Sequence, residues 1–274
     1  MDNEIFLQML IDGKVDEALA YKNKYIPKKL YKYYPLFDSD KANYKEENKS
    51  RLSVIMNDEI WLSKFSDLND PFESKALIHN NLSNNKDVGS LDVILKLINS
   101  EYRLSSFTTH LYDSMPMWAH YANNHKGFCV EFEIGLPDFI YPVIYQEKKA
   151  YTEQMLKVFS KIKQNNCKDK ELIRANIYMI ISSLCIKHKS WDYENEFRLL
   201  ATCKHYIEET SKPIDNIFSS CEFGILARHF YAGLNCSDEN LSLIKEAAKP
   251  LKMGVSKMVL DQNDSSFVLQ SEKV

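Results

Sequence analysis

The clearest pattern in the chain is the alternation of apolar and polar residues in FCVEFEI, at positions 128–134. A period of two places the apolar set on one face of a strand and the polar set on the other. The apolar set is Phe128, Val130, Phe132 and Ile134, and the polar set is Cys129, Glu131 and Glu133. The pattern predicts a strand with one face in a core and one face in solvent.

Shorter apolar runs extend this strand to a sheet. RLSSFTTH at 103–110 predicts a strand, and GVSKMVLD and FVLQ near the end of the chain predict a closing hairpin. FIYPVIYQ at 139–146 predicts a strand that contains Pro142. Because proline cannot donate to a ladder, we expect this strand at an edge or a bulge.

Helical spacing predicts elements that flank the sheet. Residues 3–24 are predicted as one helix that is weakened at Gly13. MPMWAHYANN at 115–124 predicts a short helix, and Gly127 just beyond it suits a helix terminus. SDENLSLIKEAAK predicts a helix with Ser237 before its first turn, the position of an N-terminal cap.

The remaining segments complete the fold prediction. Residues 151–189 are predicted to be largely helical, with the basic positions 187–189 in the last turn. The polar segment 38–50 is expected to be an exposed connection. Since helices and strands are mixed and several hairpins are expected, the pattern favours a single α+β domain with a mixed or antiparallel sheet and flanking helices.

Composition limits the function classes. Apolar residues make up 45% of the 274 residues, which is enough for a core. A net charge of −3 argues against nucleic-acid binding over the whole surface, although a local basic patch is compatible with it. The six cysteines form no CxxC pair, which argues against a zinc ribbon. The acidic start and the lack of a long apolar run lead us to expect a cytoplasmic protein with free thiols and no membrane partner.

Two short motifs have structural explanations of their own. In NDPFE, Asp70 fits a helix cap, Pro71 the first helical position and Glu73 the third, which is a capping-box pattern. In WAHYANNHKG, His120 and His125 are five residues apart and do not share a helical face as an HExxH pair does, so no metal ligands are assigned. The chain contains no P-loop, GxGxxG or GxSxG motif.

The stretch KHKSWDYENEFRLL places acids between aromatic rings. If WDYENEFRLL is a strand, Asp192, Glu194, Glu196 and Arg198 share one face and the rings share the other. Two carboxylates would then lie about 7 Å apart, at roughly 3.3 Å per residue. Such a pair has its pKa values pushed apart, which suits acid–base chemistry. A structural ion network with Arg198 and nearby lysines explains the same pattern, and the sequence leaves both readings open.

Three segments in order resemble the signature blocks of a bacterial family described only as a domain of unknown function, number 2971. They contain the motifs NDPFE, WxxYxxxHxGFxxxF and KxxxWxxExEFR. The resemblance covers about residues 28–270, so it implies an N-terminal helical extension at 1–27 and one α+β domain at 28–274. The family has no established activity, but the resemblance suggests where a site lies. Within that site we predict Glu196, Glu194 and Arg198 as catalytic residues. The predicted binding residues are Asn69, Asp70, Glu73, Trp118, Tyr121, Lys187, Trp191, Tyr31 and Lys32.

The order of these motifs is similar in outline to that of ADP-ribosyltransferases, which split NAD between nicotinamide and ribose. That similarity predicts a nucleotide-directed enzyme with NAD as its substrate, in a bacterial conflict or phage-defence system. Glu196 or Glu194 would be the carboxylate beside the ribose, and Arg198, Lys32 or Lys187 would contact phosphate. The alternatives are a non-enzymatic binding or regulatory protein, with a nucleotide or a macromolecule as partner, and a metal-dependent nuclease using Asp70, Glu73, Glu194 and Glu196.

Overall fold

An eight-stranded sheet with flanking helices forms the centre of the molecule, which confirms the predicted α+β class. The computed structural model describes residues 1–72, 100–149, 168–202, 216–261 and 265–274, and the isolated helical positions 96, 160, 161 and 164. Among these residues, no helix is both long and apolar enough to span a membrane.

The sheet is mostly antiparallel. In chain order the strands are β1 (Lys29–Tyr34), β2 (Glu59–Trp61), β3 (Tyr102–Thr108), β4 (Phe128–Ile134), β5 (Ile140–Pro142), β6 (Ile144–Gln146), β7 (Ile186–His188), β8 (Glu196–Thr202), β9 (Ile217–Ser219), β10 (Ile225–Ala232), β11 (Gly254–Val259) and β12 (Gln270–Lys273). The main sheet has the order β12-β11-β10-β4-β1-β3-β8-β5, and its one parallel pair is β10 with β11. β2 pairs with β9, and β6 pairs with β7, in two small sheets.

Helices cover both faces of the sheet. They are α1 (Asn3–Ile11), α2 (Val15–Asn23), α3 (Tyr44–Met56), α4 (Met115–Tyr121), α5 (Lys170–Ser183) and α6 (Asp238–Leu251). On one face, Ile55 of α3 and Ile244 of α6 share a core with Phe128 and Phe230. On the other face, Trp118 of α4 packs with strand residues. Ser237 caps α6 as predicted, because its side chain accepts from the Asn240 N–H.

β4 is buried on both faces, so the prediction of one solvent-facing side is wrong for Cys129 and Glu131. The second face is covered because α4 and the ring of Tyr231 pack over it. Glu131 takes contacts there from Lys29 Nζ at 2.9 Å and from the Tyr31 hydroxyl at 3.3 Å. Period-two alternation therefore identified the strand but not its environment.

The N-terminal segment forms two helices rather than one. Gly13 has a φ of 76°, a left-handed conformation that ends α1 before α2 begins. α1 and α2 pack against α5 through Leu10, Ala18 and Met179. Lys22 is fully buried and donates to the carbonyls of Pro137 and Ile140 at 2.8 and 2.7 Å, which joins this segment to β5.

Three boundary predictions need correction. The polar segment 38–50 is not wholly a connection, because α3 begins at Tyr44. The basic positions 187–189 do not end a helix: α5 ends at Ser183, and β7 follows. The predicted strand 139–146 is two strands, although β5 does lie at the sheet edge as Pro142 indicated. The closing hairpin does form, since β11 pairs with β12, but β12 begins at Gln270, so the predicted strand residues 267–269 precede it. The helix predicted from 151 lies outside the described residues up to 159.

One irregularity in the sheet opens a gap. β1 and β3 are neighbours, yet Tyr31–Thr108 is their single registered pair. Farther along, Leu104 of β3 pairs with Ser63 instead of with β1. The two strands therefore part beyond Tyr31, and the space between them is the inner cavity described next.

Candidate ligand-binding site

The inner cavity has a volume of about 180 Å³ and lies between β1 and β3. Its apolar wall consists of Tyr31, Tyr33, Leu68, Leu104, Phe107, Met117 and Tyr121. A cavity of about 150 Å³ is large enough to bind benzene. The inner cavity therefore has room for one six-membered ring with polar substituents.

The outer groove has a volume of about 460 Å³ and adjoins the inner cavity, since Asp70 and Lys187 line both. Lys148, Lys149 and His188 also line it. Its aromatic residues are Phe72 and Trp191. The two spaces together present a small, ring-sized chamber beside a wider, basic one.

The Glu196 carboxylate is fully engaged. Arg198 Nε donates to Oε1 at 2.8 Å, and Nη2 donates to Oε2 at 3.1 Å. Ser106 Oγ donates to Oε1 at 2.6 Å, and Lys187 Nζ to Oε2 at 3.2 Å. Both oxygens are thus occupied, although Glu196 still lines the inner cavity.

Lys187 links the two glutamates. Its Nζ donates to Glu194 Oε2 at 2.5 Å as well as to Glu196, and the ring centroid of Trp191 lies 4.7 Å from Nζ. The other oxygen of Glu194 accepts from the Tyr121 hydroxyl. Both carboxylates therefore lie beside one ammonium group at the wall of the cavity.

The protein pushes the pKa values of the two carboxyls apart. Burial and the charge of Glu196 raise the pKa of Glu194, against the effect of Lys187. Burial also opposes ionisation of Glu196, but the charges of Arg198 and Lys187 outweigh it and lower its pKa to about 2. Glu196 is thus held ionised, while Glu194 is the member that accepts a proton more easily.

The local fold that brings the glutamates together is not the predicted continuous strand. Residues Lys189–Glu194 form a 3₁₀ helix, and β8 begins at Glu196. Asn195 joins them in the left-handed conformation, with a φ of 42°, which asparagine tolerates better than most residues. Glu196 and Arg198 do share a face of β8, whereas Asp192 is exposed on the 3₁₀ helix.

Lys32 lies apart from this ion network. Its Nζ donates to the Ser106 carbonyl at 3.2 Å, and no carboxylate of the described residues lies within ion-pair distance of it. Burial lowers the pKa of Lys32 to about 8, against the pull of Glu196. Ser105 lines the same cavity, and its buried Oγ has no hydrogen-bond partner among the described residues.

The structure gathers most of the predicted site residues. Around the inner cavity it places Tyr31, Lys32, Asn69, Asp70, Tyr121, Lys187, Glu194 and Glu196. Trp191 lines the outer groove. The Asp70 side chain accepts a hydrogen bond from the Phe72 N–H at 2.9 Å, which is the type of contact that a capping residue makes. Glu73 lies outside the described residues.

Two predicted site residues lie deeper than expected. Trp118 is fully buried, donates through Nε1 to the Leu111 carbonyl at 2.8 Å and packs edge-on against Tyr33. Arg198 is fully buried behind Glu196 and also donates to the Leu184 carbonyl. Their contacts give Trp118 a core position and Arg198 a role in positioning Glu196.

Sequence reasoning missed three contributors to the site. Ser106 binds Glu196, Ser105 presents an unpartnered hydroxyl, and the Tyr145 hydroxyl accepts from the Glu196 N–H at 2.8 Å. The register could have pointed to Ser106, because it lies directly across from Arg198 in the β3–β8 pair. No local signal marks Ser105 or Tyr145.

Comparison with protein families places part of the chain beside a known family. Residues 117–199 match the model of a family described as Protein of unknown function (DUF2971). This segment contains two of the three motifs on which the resemblance to that family was based, and the match supports that resemblance. No curated protein and no solved structure matches the chain.

Proposed function

We propose that the protein binds a nucleotide of the NAD type, with the pyridine ring in the inner cavity and the phosphates in the outer groove. The observation that carries this proposal is the joining of the two spaces at Asp70 and Lys187. One space fits a single ring, and the other presents Lys148 and Lys149 to an anion. We propose a bacterial cytoplasmic setting, in a conflict or phage-defence system.

We further propose chemistry like that of an ADP-ribosyltransferase. The bond between the ribose C1′ and the pyridine nitrogen breaks, its electron pair leaves with nicotinamide, and a cation develops on the ribose. A lone pair of water or of a hydroxyl on an acceptor then forms the new bond to C1′, and the proton of that oxygen passes to solvent. An ionised carboxylate stabilises such a cation. Glu196, with its lowered pKa, supports this role as a fixed negative charge. Since its oxygens are already hydrogen-bonded, the role is electrostatic rather than nucleophilic.

A second candidate function is that of a binding protein, which binds the same ligand but catalyses no reaction. The observation that favours it is that Arg198, Lys187 and Ser106 all donate hydrogen bonds to the Glu196 carboxylate. Such a network also stabilises the fold without any role in catalysis. The same hydrogen bonds argue against the metal-dependent nuclease, because a divalent cation needs free carboxylate oxygens. We do not propose the nuclease.

The test combines binding with product analysis. We expect NAD to raise the thermal unfolding midpoint and to bind more weakly when both Lys148 and Lys149 are changed to Ala. Nicotinamide alone, which has no phosphate, should bind the variant and the parent equally. Lys189→Ala is the matched control, because Lys189 is also exposed but pairs with Glu147. An unchanged NAD affinity in the double variant would contradict the placement of the phosphates.

Release of nicotinamide separates the two candidates. The enzyme proposal expects free nicotinamide to accumulate with time and its rate of release to fall in Glu196→Gln, which removes the fixed negative charge. Glu133→Gln, a change at an exposed glutamate, should leave the rate unchanged. NAD binding without release of nicotinamide would establish the binding-protein candidate instead.

A further inference from the structure

Lys32 has a placement that the nucleotide proposal does not use. Its Nζ projects into the gap between β1 and β3, where the Ser106 carbonyl is its hydrogen-bond acceptor among the described residues. The rings of Tyr34 and Phe107 flank it, with centroids 5.7 and 5.6 Å from Nζ. The amine therefore stands at a ring-lined cavity wall without a bound carboxylate.

The ion network beside Lys32 is balanced without it. Two carboxylates, Glu194 and Glu196, face two cations, Lys187 and Arg198. Lys32 is not needed to neutralise this network. Its lowered pKa of about 8 leaves roughly a tenth of the amine uncharged at pH 7, since one pKa unit is a factor of ten. An uncharged, desolvated lysine amine is a nucleophile.

The polar groups near the cavity suit a phosphorylated ligand. Ser105, which is 2% exposed, is among the residues that line the inner cavity. The adjoining outer groove adds Lys148, Lys149 and His188, which suit a phosphate.

We propose that Lys32 is a reactive amine that forms an imine with a small phosphorylated aldehyde or ketone held in the inner cavity. The amine nitrogen attacks the carbonyl carbon, and a proton moves from nitrogen to the carbonyl oxygen to give a carbinolamine. Loss of water then leaves the C=N bond. Ring-opened phosphorylated riboses belong to this class, but the inference does not require NAD to be a substrate.

Lys22 provides a matched comparison within the same protein. Burial lowers its pKa to about 8 as well. Its Nζ, however, donates hydrogen bonds to the carbonyls of Pro137 and Ile140. The same Nζ lies 4.6 Å from the centroid of the Tyr141 ring. Lys22 and Lys32 thus have similar pKa values, but only Lys32 lines the inner cavity. A difference in their reactivity would therefore be due to position and not to pKa.

The test is imine trapping on the full chain. The protein is treated with a limiting amount of pyridoxal 5′-phosphate and reduced with borohydride, which adds hydride to the imine carbon, and its peptides are mapped by mass. We expect Lys32 to be the most heavily modified lysine, Lys22 to be unmodified, and pyridoxal without phosphate to label Lys32 several-fold less. Lys32→Arg should abolish that label, and the mapping of the unsubstituted protein stands even if the variant does not fold.

Three results would overturn the inference. Labelling confined to exposed lysines would show that Lys32 is not reactive. Equal labelling of Lys22 and Lys32 would show that acidity alone controls the reaction. Equal labelling by pyridoxal and its phosphate would remove the phosphorylated ligand class. None of these results bears on NAD binding, which is measured separately.

Discussion

Arg198 holds both oxygens of Glu196, its neighbour two positions back on the same face of β8, at 2.8 and 3.1 Å. The side chains are 0% and 4% exposed. A buried pair of this kind contributes less net stability than its short distances indicate, because both ions lose their hydration. Removing one partner is costly, however, because the other charge is then left buried and uncompensated.

Arg198→Met is therefore expected to lower the free energy of unfolding by about 3–5 kcal/mol. The matched control is Arg228→Met. Arg228 Nε contacts Glu133 Oε2 at 2.7 Å, but the two side chains are 49% and 53% exposed, so its loss should cost about 0–1 kcal/mol. Urea unfolding of both variants measures the difference, and equal losses would show that burial of the Glu196 pair has no energetic consequence.

The lowered pKa of Glu196 predicts loss of stability in acid. Its pKa is about 2 in the folded protein and 4.5 as the ordinary value, so the folded state binds fewer protons between these values. The stabilisation is complete above pH 4.5 and is lost as the pH falls toward 2, a change of about 3 kcal/mol. Glu194 acts in the opposite sense, because its pKa is raised and its contribution is lost as the pH rises through that value.

The measurement is the free energy of urea unfolding at several pH values from 5 to 2. Glu196→Gln has no carboxyl at this position and should show a flatter dependence than the parent protein. Glu133→Gln, at an exposed position, should retain the parent slope. A parent slope that persists in Glu196→Gln would assign the acid sensitivity to other carboxyls.

Buried lysines predict a dependence of the same sign in mild alkali. Burial lowers the pKa of Lys22 to about 8 against an ordinary value of 10.5, so the unfolded state binds more protons between these values. The free energy of unfolding therefore rises with pH from 8. Above about pH 10 the buried tyrosines reverse the trend, because burial raises the pKa of residues such as Tyr33 and Tyr34.

Lys22→Met removes one of the two lysines that show this behaviour in the described part of the chain, and Lys32 is the other. We expect the rise in the free energy of unfolding between pH 8 and pH 10 to shrink by about half, a change of about 2 kcal/mol. Urea unfolding at pH 8, 9 and 10 measures it. An identical rise in the variant would mean that the Lys22 ammonium is not penalised by burial.

The sequence pattern predicted the positions of some site residues correctly and those of others incorrectly. Alternation correctly placed Glu196 and Arg198 on one face, because that relationship depends only on the period of a strand. It misplaced Glu194, because the left-handed Asn195 turns the chain between a 3₁₀ helix and β8. The inner cavity follows from the parting of β1 and β3 after Tyr31–Thr108, a non-local pairing that no window of sequence contains.

Gly127 shows how a motif residue can be identified for an incorrect reason. The sequence indicated a helix terminus, where glycine supplies a left-handed conformation. That conformation is taken instead by Asn123, Asn124 and His125. The structure requires a glycine because a Cβ at 127 would lie 2.1 Å from the Tyr34 carbonyl oxygen and 2.9 Å from the Leu36 nitrogen. Both are backbone atoms, so a rotamer change does not relieve the overlap.

Gly127→Ala is therefore expected to destabilise the protein by about 3 kcal/mol or more, at the upper end of the cost of overpacking. Gly135→Ala is the matched control, because its Cβ would meet one atom, the Gly224 carbonyl oxygen at 3.3 Å, and should cost about 1 kcal/mol. Thermal and urea unfolding of the two variants give the comparison. Comparable losses would contradict a close approach of Gly127 to β1, and the strand position that supplies Tyr31 and Lys32 to the inner cavity would then depend on other contacts.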